Sequence, residues 1–92
     1  QQDQEETLVL EYVHAKNEVE NAISRLRISQ SKLKFAEKEL DYIKTRFEGD
    51  LATAKDLIEA ESMLQEAQED YWISVYSLLE SKAILQKASG RE

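Results

Sequence analysis

The side chains that could do chemistry are few. His14 is the single histidine and there is no cysteine, so no second imidazole or thiolate is at hand to complete a metal site. The serines recur at small positions within apolar repeats, and no Ser, His and Asp constellation is suggested. Lys32, Lys34, Lys38 and Lys44 alternate with acids and read as a solvated face. Asp56 and Glu59 stand three apart, just after Gly49, on one face of an expected helix. By residue type alone, Asp56 is a partner for a helix cap and Glu59 an exposed helix acid. The expectation is a protein that is not an enzyme and takes no cofactor and no metal.

Those residues need elements to hold them, and the composition says which. Proline is absent, charged residues make up 34% of the 92 residues, and Gln, Glu, Ala, Leu and Lys dominate. Such a chain forms long helices or a coiled coil. The formal net charge of -7 argues against nucleic acid as a partner, because phosphate binding needs a basic patch. No signal peptide, apolar run of membrane-spanning length or lipidation motif is present.

Tyr12, Val19, Leu26, Leu33, Leu40 and Phe47 fall seven apart, and Ala15, Ala22, Ser29, Ala36 and Ile43 follow three residues after the first five. The second half repeats the pattern with Leu57, Leu64, Tyr71, Leu78 and Leu85, and with Ala60, Ala67, Ser74, Ser81 and Ala88. A sustained 3-4 spacing is the coiled-coil signal. One seam position is bulky and the other small, which suits an antiparallel pair with large facing small. Folding the chain so that paired numbers sum to 100 sets Leu40 against Ala60 and Leu33 against Ala67. A sum of 107 also matches the heptads, and turn length favours 100. The expected fold is all-α, a long antiparallel two-helix coiled-coil hairpin over 1–92, with helix 5–48, turn 49–52 and helix 53–89. Gly49 or Asp50 can take the left-handed conformation that ends a helix. Thr53 can cap the next, with Asp56 completing a capping-box pair, and Gly90 marks the far end.

A second apolar set lies off this seam. Trp72, Ile73, Val75, Tyr76 and Leu79 cannot all face one partner helix, and Val9, Ile23, Ile28 and Phe35 are off the seam of the first helix. A lone hairpin leaves them exposed, so the chain is expected to belong to a larger helical assembly or to self-associate. Trp72 and Tyr76 are expected to serve interhelix packing rather than a ligand.

The stretch Arg46-Phe47-Glu48-Gly49-Asp50, then Leu51-Ala52-Thr53-Ala54-Lys55, then Asp56-Leu57-Ile58-Glu59-Ala60 resembles the tip of the TolC-like outer-membrane efflux protein family. That tip reads arginine-aromatic, two residues, Gly, several residues, then Asp-hydrophobic-Leu-acid-Ala. The run from Glu61 to Gly90, where Leu, Ala and Tyr recur before a small residue and Gly, is similar to the family's next stretch. The family's tip Gly aligns with Asp50, and a basic residue that some members carry two positions later is Ala52 here.

The resemblance implies the periplasmic hairpin of a trimeric export channel in a Gram-negative envelope. Gly49, Asp50, Leu51, Ala52 and Thr53 would then form the tip that meets a periplasmic adaptor. Asp56 and Glu59 would line the entrance, where ringed acids attract cations and repel anions. The implied partners are the adaptor, an inner-membrane pump and two further copies. The hairpin of a periplasmic adaptor is the alternative, but "EGDLATAKD" lacks the Arg, Leu and Ser-Asp-like docking pattern of those tips. A purely structural coiled-coil hairpin is a third reading.

Overall fold

The computed structural model describes residues 2–89, with side chains from Glu6 onward. Gly90 lies outside the described residues. The fold is all-α: helix α1 spans Gln2–Glu48, helix α2 spans Ala54–Ala88, and together they make a helical hairpin. Both helices keep to the expected bounds within a few residues. Thr53 stands just before α2 as its cap rather than inside it.

The pairing falls into two compact units. One joins α1 up to Leu26 with α2 from Ser74 onward, and the other is Arg27–Ile73, which contains the turn. In both units the small heptad residues are the ones buried. Ala15 and Ala22 are buried in the first unit, and Ser29, Ala36, Ala60 and Ala67 in the second. The bulky partners are only half-buried, among them Val19 and Leu78 in the first unit and Leu33, Leu40, Leu57 and Leu64 in the second. Two helices side by side can enclose a line of small side chains, but larger ones must overhang the edges. No side chain larger than alanine or serine is buried among the described residues.

Within Arg27–Ile73 the register agrees with the sum of 100. Ser31, Lys32, Phe35 and Ala36 line one groove with Met63, Glu66, Ala67 and Asp70, so the stretch 31–36 lies opposite 63–70, and their midpoints sum to 100 rather than 107. The off-seam set is largely exposed. Ile28, Phe35, Trp72 and Ile73 are open to solvent in one unit, and Val9, Tyr76 and Leu79 in the other, with Ile23 and Val75 half-buried. Trp72 packs its ring edge-on to its neighbour Tyr71, with centroids 5.4 Å apart. Trp72 and Tyr76 are thus surface residues of this chain, as expected where the hairpin stands alone.

Candidate functional site

The tip is built from hydrogen bonds between residues at most five apart. The Gly49 amide still donates to Thr45 O at 3.2 Å, as in the helix. The chain then closes with two reversed bonds, from the Asp50 amide to Phe47 O at 3.1 Å and from the Leu51 amide to Arg46 O at 2.7 Å. This is the Schellman arrangement, whose residue after the cap takes the left-handed conformation. Asp50 holds that position, with φ 61°. Of the two candidates Gly49 and Asp50, the aspartate makes the turn. Short polar side chains tolerate this region better than other L residues.

Arg46 braces the bend. Its guanidinium donates from Nη1 to Tyr42 Oη and from Nη2 to Leu51 O, each at 3.3 Å, and Cζ lies 5.4 Å from the Tyr42 ring centroid. Planar guanidinium groups favour this combination of stacking and forked donation. Thr45 Oγ1 donates back to Asp41 O at 3.0 Å within the last turns of α1.

The start of α2 is a reciprocal capping box. The Asp56 amide donates to Thr53 Oγ1 at 3.1 Å, and the Thr53 amide donates to Asp56 Oδ2 at 3.0 Å. The Leu57 amide opens the helix ladder onto Thr53 O at 3.1 Å. The Thr53 amide, then its hydroxyl, hold the Asp56 carboxyl below its usual 3.8, with the charges of Lys55 and Arg46 adding to the effect. Asp56 thus stays ionised to lower pH than an ordinary aspartate, and a negative group here also complements the helix dipole.

Among the expected site residues, Gly49, Asp50, Leu51 and Thr53 are exposed and Ala52 is half-buried. Asp56 and Glu59 are both exposed in the first turns of α2. One Asp56 oxygen is committed to the cap, so its structural role is established on geometry alone. His14 is exposed, 3.9 Å from Glu18 through Nε2, and the described residues contain no cluster of three His, Cys, Asp or Glu able to hold a metal. Among those residues no helix is long and apolar enough to cross a membrane.

A second feature was not assembled by sequence reasoning. The groove shared by Phe35, Ala36, Met63 and Ala67 has a volume of about 420 Å³. Phe35 is 62% exposed on its wall, and Ile28 and Tyr42, one heptad to either side, are open as well. Its sequence signal is the spacing 28, 35, 42, a parallel stripe beside the seam. Charge divides across the same unit. On α1 Arg27, Lys32, Lys34, Lys38, Lys44 and Arg46 outnumber Glu37, Glu39, Asp41 and Glu48. On α2 Lys55 stands alone against Asp56, Glu59, Glu61, Glu66, Glu69 and Asp70.

No protein-family model, curated protein or solved structure matches the chain.

Proposed function

We propose that the chain is the periplasmic hairpin of a trimeric outer-membrane efflux channel, with its tip meeting an adaptor and framing the entrance of an export duct. The observation that carries this reading is the left-handed backbone of Asp50. It falls at the position where the resembled family has its tip glycine, the residue type that takes this left-handed conformation most readily. The braced Arg46, the capped start of α2 and the exposed acids after it are in keeping with such a tip. The apolar residues left open off the seam are in keeping with neighbouring helices in a larger wall. The channel itself performs no chemistry, and an inner-membrane pump supplies the energy.

On this reading Asp56 and Glu59 of three copies gather near the axis, where like charges raise local cation concentration and oppose anions. Single-channel recordings of the full-length protein with Asp56→Asn and Glu59→Gln together are expected to show reduced cation preference. Helix content should be retained, because both changes keep side-chain size. Unchanged ion selectivity would reduce the two acids to a cap and a solvated helix residue.

A further inference from the structure

The groove within Arg27–Ile73 is self-complementary. Its floor is Ala36 and Ala67, exposed by only 1% and 7%, and its walls carry Phe35 at 62% and Met63 at 42%. Each copy therefore offers both a protruding ring and a shallow seat floored by methyl groups. A surface that is knob and hole at once suits an isologous contact, in which one patch meets itself across a two-fold axis.

Charge selects the axis. Lys32 stands on the α1 rim, and Glu66 and Asp70 on the α2 rim. A two-fold perpendicular to the helices lays α1 on α1 and α2 on α2, bringing Lys32 toward its own mate and acids toward acids. A two-fold parallel to the helices lays α1 of each copy over α2 of the other. Lys32 then meets Glu66 and Asp70 of the second copy twice over, in the register already used within the chain. Opposed signs across an interface fix orientation and suppress the wrong pairing.

We propose that this groove takes a second copy of the chain, face to face about an axis parallel to the helices, with both turns at the same end. The inference concerns the chain by itself and does not rest on the duct reading, since it uses neither the tip motif nor ion selectivity.

Sedimentation equilibrium of the 92-residue chain at micromolar concentration tests it. A dimer is expected, dissociating at least tenfold more readily with Phe35→Glu at unchanged helix content. Lys32→Glu should weaken it by a similar factor, and Lys32→Glu with Glu66→Lys should recover most of the loss. If Phe35→Glu does not fold, the charge pair decides alone. Because the chain has no cysteine, Leu51→Cys reports orientation through a short bismaleimide cross-linker. Efficient cross-linking between turns is expected. A monomer at every concentration, a trimer, a dimer indifferent to Phe35 and Lys32, or turns that do not cross-link would each overturn the proposal. A monomer would leave the groove to a different partner.

Discussion

Asp50 and Gly49 are neighbours with opposite requirements. A Cβ added at Gly49 meets Thr45 O at 3.7 Å and Arg46 O at 3.8 Å, which is ordinary contact, and its backbone is not in the left-handed region. Gly49→Ala should therefore raise stability by about 0.5–1 kcal/mol through the lost freedom of the unfolded chain. Asp50→Ala should lower it by about 1 kcal/mol, because alanine tolerates the left-handed φ of 61° less well than a short polar residue. Opposite shifts in melting temperature check the pair, and shifts of the same sign would contradict the assignment of the turn. Residue type alone pointed toward glycine as readily as toward aspartate. What decided the matter is where the reversed hydrogen bonds close, one residue beyond Gly49, and no propensity encodes that. The capping box was more legible, because Thr53 and Asp56 are of the right types at the required spacing. Its pH dependence has a definite sign. The folded pKa of Asp56 is depressed, so its contribution is present above the ordinary value of 3.8 and is lost as pH falls through the lower folded one. Amide exchange at Thr53 should accelerate in that acid range beyond the intrinsic trend, and Asp56→Asn should remove the step.

At the scale of the helices, the seam is narrow because its enclosed residues are small. Ala36 and Ala67 have almost no free surface in Arg27–Ile73. Leucine at either site should overpack the interface at about 1–3 kcal/mol. Lys38→Leu, at an exposed position, should do much less. Thermal melts of the three variants separate the effects, and equal losses would rule out the register. Heptad spacing made this seam readable, since burial at period 3.5 leaves its mark on every turn. The choice between sums of 100 and 107 was less readable, because a shift of one heptad superposes every bulky and small residue on its own kind. Only the turn breaks that degeneracy, and it does so through five residues, Gly49 to Thr53.

At the scale of the whole chain, what remained hidden is what covers the open apolar surface. Hydrophobic residues off the seam announce an unmet burial, but a sequence does not say whether a second copy or another protein meets it. The division of charge between α1 and α2 narrows the choice for the groove of Phe35 and Met63. A dimer also makes melting concentration-dependent. Raising the chain from about 5 to 500 µM should shift its midpoint upward, by RT ln 100 or about 2.7 kcal/mol per dimer at the limit of full linkage, and Phe35→Glu should abolish the shift.

The brace and cap at the turn carry a consequence for the order of events during folding. Every bond there joins residues no more than five apart, so the turn needs little loop closure to form. Pairing farther from it joins residues with ever larger sequence separation, and the entropy of closure rises accordingly. Once the turn is made, each successive heptad closes only a short additional stretch, so Arg27–Ile73 should zip outward from Asp50. Changes such as Asp50→Ala should then slow folding with little effect on unfolding, whereas those distant from the turn, such as Ala22→Gly, should chiefly speed unfolding. The few residues that reverse the chain would in that way also act as its pacemaker.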